Sequence, residues 1–190
     1  MNERKRGGTV LLTGLPSSGK TTLATATRDL ATRAGQAAEV LDGDDVRRRL
    51  WPELGLSRED REKNLSRITT VAILLARHGV LAIVAAIAPY ASDRDLMRTR
   101  HDDAGLAFIE VHVATPLAVC QRRDVKGLYA KRASGALAGL TGVDAAYEEP
   151  MLPDLRIDTS GETVSESAGH VLDLVIHRGL IEASLTPQGG

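Results

Sequence analysis

The sequence predicts an α/β fold of three layers, in which helices cover both faces of a central, mostly parallel sheet of five strands and a lid segment lies beside it. Three observations predict it. Strand-like and helix-like stretches alternate along the chain, the pattern of successive βα units. Val80 to Ile87 is a continuous apolar run, as expected of a strand covered on both faces. The short run Thr9-Val-Leu-Leu-Thr13 leads through the glycine-bounded segment Gly14-Leu15-Pro16-Ser17-Ser18-Gly19-Lys20-Thr21-Thr22 into an alanine-rich helix.

The elements follow in order. Thr9 to Thr13 is β-branched and aliphatic, a buried strand, and Leu23 to Ala34 is a helix with Gly35 as its C-cap. Ala38-Glu-Val-Leu41 is the second strand. Asp42-Gly-Asp44-Asp45 follows at its carboxyl end on an extended backbone, and Val46 to Leu50 makes a short helical turn. Ser57-Arg-Glu-Asp60 is a capping-box-like start for a helix that runs to about His78 and stops at Gly79. Val80 to Ile87 is the third strand, Ser92-Asp93 opens a helix to about Asp103, Leu106 to Val113 is the fourth strand, and Pro116 starts a helix containing Cys120.

Asp124 to Pro153 is different. It is rich in Gly, Ala and charge and has no convincing core period, so a functional lid or a disordered insertion is expected there. Leu155-Arg-Ile157 is a short last strand. Thr159 or Ser160 is expected to cap a final helix to about His177, closed by Gly179. No internal repeat or domain boundary is visible, so residues 1–190 are expected to form one domain, with flexible tails over about 1–7 and 182–190 and a frayed end from Thr186 to Gly190.

Strand, glycine loop, Lys-Thr and helix together are the phosphate-binding loop G-x-x-x-x-G-K-[ST], so the expected architecture is that of the P-loop NTPases. Gly14 and Gly19 permit backbone angles a side chain forbids, which lets successive N–H groups converge on one anion. The helix N-terminus beginning near Lys20 adds free donors and partial positive charge. Lys20 is expected to reach the β- and γ-phosphates of ATP, and the Thr21 hydroxyl to bind Mg²⁺.

Ligands of parallel α/β sheets sit at the carboxyl ends of the strands, so Asp42, Asp44 and Arg47 face the same cleft as the glycine loop. A carboxylate near Mg²⁺ and another placed to take a proton from an acceptor hydroxyl are what phosphoryl transfer needs. The competing reading is a turn built of its commonest residues. On the Ser57–His78 helix, Arg61, Leu65, Ile68, Ala72 and Leu75 form one stripe with Asn64 at its flank. A guanidinium at the end of an otherwise apolar stripe implies that this end projects into a polar cleft, where it suits a sulfate or phosphate. The alternative is a snorkelling arginine at a helix end. In the lid, Asp124-Val-Lys126-Gly-Leu-Tyr129-Ala-Lys131-Arg132 carries positive charge that could close over a triphosphate, although Arg132 alone reads as a solvated charge. Ala88-Pro89-Tyr90 ends the third strand beside the cleft. His78, His101 and His112 read as surface or capping residues.

Composition excludes other classes. The formal net charge of −1 supplies no global field for nucleic acid or an acidic membrane. The single cysteine, Cys120, allows no internal disulfide and fits a reducing compartment. No apolar run approaches the ~20 residues of a membrane span. Met-Asn-Glu-Arg4-Lys5-Arg6 has no apolar segment behind it, so a cytoplasmic protein is expected.

With these motifs the chain resembles adenylylsulfate (APS) kinases from about Gly8 to Gly179. The matching residues are Leu12-Thr-Gly-Leu-Pro-Ser-Ser-Gly-Lys-Thr-Thr22, Leu41-Asp-Gly-Asp44 with Arg47, Ser57-Arg-Glu-Asp-Arg61-Glu-Lys-Asn64, Ala88-Pro-Tyr90, Asp124-Val-Lys-Gly-Leu-Tyr129, Gly139-Leu-Thr-Gly142 and Tyr147-Glu148. The resemblance implies transfer of the γ-phosphoryl of ATP to the 3′-hydroxyl of adenosine 5′-phosphosulfate, in a homodimer coupled functionally to ATP sulfurylase. It implies that Lys20, Asp42, Asp44 and Lys126 serve catalysis, and that the glycine loop through Thr22, with Arg123, holds ATP. Thr21, and Asp42 through water, would hold the metal. Asp44, Arg47, Leu56, Arg61, Asn64, Ala88, Pro89, Tyr90, Lys126, Gly127, Leu128, Lys131 and Leu140 would line the acceptor site. Many members of the family carry a phosphoenzyme serine where this chain has Ala88, which favours direct transfer here. Leu56 and Leu140 stand where the family has phenylalanines that sandwich the acceptor's adenine. A kinase of the same fold acting on another nucleotide or a small alcohol is the alternative. A GTP switch would need an Asn-Lys-x-Asp element, which neither Asn2 nor Asn64 begins. The intact Lys20, Thr21 and Asp44 argue against a non-catalytic nucleotide-binding module.

Overall fold

The computed structural model describes residues 7–181. The Arg4-Lys5-Arg6 stretch and the end from Thr186 to Gly190, read above as tails, lie outside them. Gly7, placed in the tail by the sequence reading, is buried: a Cβ on it would lie 2.2 Å from the Ala76 carbonyl oxygen.

The strands are β1 (Gly8–Thr13), β2 (Ala38–Asp42), β3 (Leu81–Ala85), β4 (Ala107–Val113) and β5 (Leu155–Ile157), and the helices are α1 (Lys20–Arg33), α2 (Gly43–Leu50), α3 (Arg58–Arg77), α4 (Ala91–Asp103), α5 (Leu117–Arg123), α6 (Leu128–Ala133) and α7 (Val164–His177). The sheet order is β2-β3-β1-β4-β5, and every pairing is parallel. β1 is the central strand, paired with β3 from Gly8↔Leu81 to Leu12↔Ala85 and with β4 from Gly8↔Ala107 to Thr13↔His112.

The pleat of β1 makes the three layers. Val10 and Leu12 belong to a core with Leu23, Ala24 and Ala31 of α1 and Ala168, Val171 and Val175 of α7. Leu11 points the other way, into a core with Leu65, Ile68 and Ala72 of α3, Met97 of α4 and Phe108 of β4. Alternate side chains thus feed opposite faces. The α3 stripe is buried at Leu65, Ile68 and Ala72, while Arg61 at its N-terminal end is only partly buried. Among the described residues no helix is long and apolar enough to cross a membrane.

The structure corrects the sequence reading in several places. β3 stops at Ala85 rather than Ile87. Beyond it the Thr13 hydroxyl, not a neighbouring strand, takes the Ile87 carbonyl, at 2.6 Å. Asp42 caps α2 by accepting from the N–H groups of Asp44 and Asp45, so Asp44 stands on a helix and not on an extended backbone. The last helix is capped by Thr163 in a reciprocal capping box with Glu166, not by Thr159 or Ser160. The lid contains α6, and its Tyr129 and Leu140 form an apolar cluster with Cys120 of α5, against which Leu15, Leu117, Leu128 and Leu137 pack. His101 and His112 are buried. His101 bonds the Met97 carbonyl and the Thr9 hydroxyl, both at 2.8 Å, and its burial lowers its pKa.

Candidate active site

The loop after β1 is shaped by what a Cβ would strike. At Gly14 it would lie 2.4 Å from the Val113 carbonyl oxygen, so only glycine lets the chain leave β1 this close to β4. Gly19, at φ 101, occupies the left-handed region just ahead of α1. Ser18 N–H closes the turn onto the Leu15 carbonyl at 3.2 Å. Lys20 folds back over the loop, and its Nζ donates to the carbonyls of Gly14 (2.9 Å) and Leu15 (2.7 Å). Burial lowers its pKa to about 8, only partly opposed by the negative groups around it. An ammonium held by carbonyls beside free helix-terminal N–H groups is a ready anion site.

Two carboxylates leave β2 with different tasks. Asp42 Oδ2 accepts the Thr21 hydroxyl at 2.6 Å while its other oxygen caps α2. Asp44 pairs with Arg47 at 2.9 Å and with Lys126 of the lid at 2.6 Å. Burial pushes the Asp44 carboxyl up, but the Lys126 hydrogen bond and the charges of Lys126, Arg47 and Lys20 outweigh it and hold it below the usual range. Asp44 is therefore ionised at neutral pH.

Arg61 extends from the first turn of α3 and clasps two distant segments with three bonds. Its Nε donates to the Leu56 carbonyl (2.9 Å), Nη1 to the Thr141 hydroxyl (2.7 Å) and Nη2 to the Gly139 carbonyl (3.0 Å). Leu56 and Leu140 thus lie on segments tied together by one guanidinium, but they differ in setting: Leu56 is 53% exposed and Leu140 only 6%. Arg47 also reaches the Gly55 carbonyl. Asn64 is held on both sides, accepting from Trp51 Nε1 at 2.6 Å and donating to the Gly43 carbonyl at 3.2 Å.

The segment after β3 touches both the lid and α3. Pro89 offers its carbonyl to Glu148 N–H at 2.8 Å, and the Tyr90 ring lies under the Arg58 guanidinium, 4.4 Å from its centroid. Gly127, at φ 65, starts α6, where Leu128 joins the lid cluster and Lys131 is exposed. The lid rests on the glycine loop itself. Tyr129 donates to the Pro16 carbonyl at 3.1 Å, and a Cβ on Gly142 would strike the Leu15 side chain at 2.4 Å. Thr22 is exposed on the first turn of α1.

Several contacts around this site escaped the sequence reading, although it named Thr13, Arg123, Tyr147 and Thr159 themselves. The hydroxyls of Thr115 and Thr159 both donate to the Ser18 carbonyl at 2.9 Å, and Arg123 holds Thr159 through its hydroxyl and its carbonyl, both at 2.8 Å. Thr13 meets the Tyr147 hydroxyl at 3.1 Å, and burial pushes the Tyr147 pKa up to about 12. Arg94 donates to the Ala88 carbonyl at 2.8 Å. All but Arg94, whose partner is 6 residues away, act on partners distant in sequence, and no local pattern marks them.

A lysine-bearing glycine loop on a parallel sheet of order 2-3-1-4-5, facing an ionised aspartate and a basic lid, defines a P-loop kinase. Comparison with known proteins narrows the class. The family model for adenylylsulphate kinase matches residues 6–158. An adenylyl-sulfate kinase of Myxococcus xanthus is 47% identical over 182 residues, covering 95% of this chain and 97% of the relative. The bifunctional enzyme CysN/CysC of Mycobacterium tuberculosis is 46% identical over 90% of this chain, but the match spans only 28% of that larger protein. Among solved structures, the APS kinase CysC of Mycobacterium tuberculosis in complex with AMPPNP and APS superposes with a TM-score of 0.87 at 46% identity, covering 90% of this chain and 98% of that one. A hexameric APS kinase from Thiobacillus denitrificans superposes at 0.70 with 32% identity, covering 94% of this chain and 30% of that one. The chain belongs to the adenylylsulphate kinase family and is an ATP-dependent kinase.

Proposed function

We propose that the protein transfers the γ-phosphoryl group of ATP to the 3′-hydroxyl of adenosine 5′-phosphosulfate, giving 3′-phosphoadenylyl sulfate and ADP, as one kinase domain over 1–190 with residues 124–153 as its lid. The observation that carries this reading is the position of Asp44, an ionised carboxylate in the field of the loop's Lys20 and paired with Arg47 and the lid's Lys126. Donor and acceptor machinery meet at that one group.

In this reading Lys20 and the loop N–H groups from Gly14 to Thr22 hold the β- and γ-phosphates, and Arg123 flanks the donor site. Arg47, Arg61 and Asn64 bind the phosphosulfate nucleotide. Ala88, Pro89 and Tyr90 wall its cleft, Leu56 and Leu140 flank its base, and Gly127, Leu128 and Lys131 bring the lid over it. The 3′-oxygen attacks the γ-phosphorus, the bond to the β,γ-bridging oxygen breaks, and the electron pair leaves with ADP. Asp44 orients the hydroxyl and takes its proton, while Lys20 and Lys126 offset charge on the transferring group. With alanine at position 88 the transfer is direct.

The Thr21 hydroxyl and Asp42 carboxylate, 2.6 Å apart beside the loop, fit Mg²⁺, a hard cation that keeps several waters and is completed by substrate phosphates. Such an ion, held by Thr21 and Asp42, would supply positive charge that offsets the negative charge developing on the transferring group. A homodimer, a cytoplasmic setting and functional coupling to a sulfurylase complete the reading. Cys120, the one cysteine, is free and buried. ATP consumption measured with and without adenosine 5′-phosphosulfate, alongside other nucleotides and small alcohols, tests the acceptor. Turnover that ignores adenosine 5′-phosphosulfate refutes the assignment.

A further inference from the structure

The connection from β3 to α4 holds a conformation that its own sequence does not favour. Ala88 is buried with φ 43, in the left-handed region. For a residue with a Cβ such backbone persists only where the surroundings over-determine it. Here the determinant is visible. The Ala88 carbonyl accepts from Arg94 Nη1 at 2.8 Å, and the preceding carbonyl, Ile87, accepts the Thr13 hydroxyl at 2.6 Å.

Arg94 is only 3% exposed, and its Nε lies 2.8 Å from Glu110 Oε1 in the middle of β4, itself 9% exposed at the side chain. That oxygen accepts no well-aligned hydrogen bond, so the contact is an ion pair rather than a bidentate fork. The other carboxylate oxygen faces Arg98, which continues to Asp154. Burying a charged pair between α4 and β4 adds little stability over an apolar pair of similar size, because desolvation offsets the attraction. What the pair supplies is placement. The Glu110 charge holds the buried guanidinium beside β4, and Nη1 of the planar group donates to the Ala88 carbonyl. Two residues beyond that carbonyl, Tyr90 lies under Arg58, one turn before Arg61 on α3.

We propose that Arg94, held by Glu110, is a positioning residue for the phosphoryl acceptor: it locks the strained Ala88 and so fixes the Ala88-Pro89-Tyr90 wall of the acceptor cleft. Arg94 touches no substrate and acts through the backbone. The inference rests on the acceptor reading given above, with adenosine 5′-phosphosulfate as the acceptor.

Steady-state kinetics and melting curves on two variants test it. Arg94→Lys keeps a cation opposite Glu110 but cannot serve the carboxylate and the carbonyl from one planar group. Arg94→Met/Glu110→Gln removes both charges at similar volume. Both are expected to raise KM for adenosine 5′-phosphosulfate by about tenfold, the scale of one hydrogen bond from a charged donor, with KM for ATP unchanged. A wild-type protein that does not phosphorylate adenosine 5′-phosphosulfate would refute the acceptor reading. An active wild type with variants of unaltered acceptor KM would overturn the inference alone. So would equal rises for both substrates, or failure of both variants to fold, since either makes the pair part of the general scaffold.

Discussion

In the phosphate loop, the Lys20 ammonium bonds carbonyls no more than 6 residues away, whereas the lid's bonds to Arg61, Asp44 and Pro16 join residues 78 to 113 positions apart. The loop's shape comes from glycine backbone freedom and one folded-back lysine. The lid's shape comes from Arg61, Asp44 and Pro16 reaching across the molecule to Gly139, Thr141, Lys126 and Tyr129. A contiguous motif can specify the first, but only the completed fold can specify the second. Substitutions in the loop should therefore strike chemistry directly, and those at the lid's attachments should shift the affinity for one substrate.

Lys20→Ala should have the largest effect. It removes charge at the transferring phosphoryl group and should lower turnover by roughly 10²-fold or more. It also leaves the buried Gly14 carbonyl and the half-buried Leu15 carbonyl without their ammonium donor, a loss confined to the loop, so circular dichroism should report an intact fold. Near-normal turnover in a folded variant would remove the loop from the mechanism.

Arg61→Ala tests the other half of the comparison. The side chain clasps residues 56, 139 and 141 together, so its loss should open the acceptor side of the lid. One charge-assisted contact of about 1.5–3 kcal/mol corresponds to a rise of roughly 10- to 150-fold in KM for the acceptor. The KM for ATP should stay near its wild-type value. Equal changes for both substrates would make the arginine a structural strut.

What was legible in the sequence follows the same division. Gly14 to Thr22, the strand before it and the helix after it could be read because every cause is local. The capping box Thr163-Val-Ser-Glu166 is equally local, yet Thr159 reads as the cap from sequence, and its hydroxyl serves Ser18 instead. His101 was beyond reach: its neighbours along the chain are polar, and the Thr9 hydroxyl that satisfies its ring lies 92 residues away. The lid reads as coreless because its apolar residues are sparse, and they form a cluster only when Leu15 and Cys120 arrive from elsewhere. Asp44 is legible, but its helical setting is not, since Asp42 both ends a strand and caps a helix.

The lowered pKa of Lys20 makes a smaller prediction, one of pH. In the free protein the ammonium begins to lose its proton near pH 8, and a triphosphate beside it would raise that value again. ATP binding at pH 8.5–9 should therefore take up a proton, and ATP affinity should fall by up to about tenfold per pH unit above 8. Calorimetry in buffers of different ionisation enthalpy reads the uptake. The effect on folding has the opposite sense. A lysine with a depressed folded pKa costs stability while charged, so stability should rise between about pH 8 and 10.5 in the absence of ATP. Proton release on ATP binding would contradict the buried, carbonyl-held lysine.

The smallest expected effect concerns the two leucines, which one arginine ties together and burial sets apart. Leu56 is mostly exposed, so a phenylalanine there meets no packed neighbour and is free to stack on a base. Base–aromatic stacking is worth about 1–3 kcal/mol, part of which leucine already supplies as apolar contact, so Leu56→Phe should tighten acceptor binding about three- to fivefold. Its melting temperature and its affinity for ATP should stay where they are. Leu140 packs against Tyr129 and Cys120, and a ring there overpacks the cluster by about 1–3 kcal/mol. Leu140→Phe should therefore lower the melting temperature, by about 2–4 °C for each kcal/mol, and gain affinity only if the ring turns out of the cluster toward Leu56. Titration calorimetry with adenosine 5′-phosphosulfate and a melting curve on each single variant separate the two. If Leu56→Phe leaves acceptor affinity unchanged, the segment clasped by Arg61 does not border the adenine. If Leu140→Phe tightens binding without destabilising the protein, the lid cluster opens to the acceptor more than its packing shows.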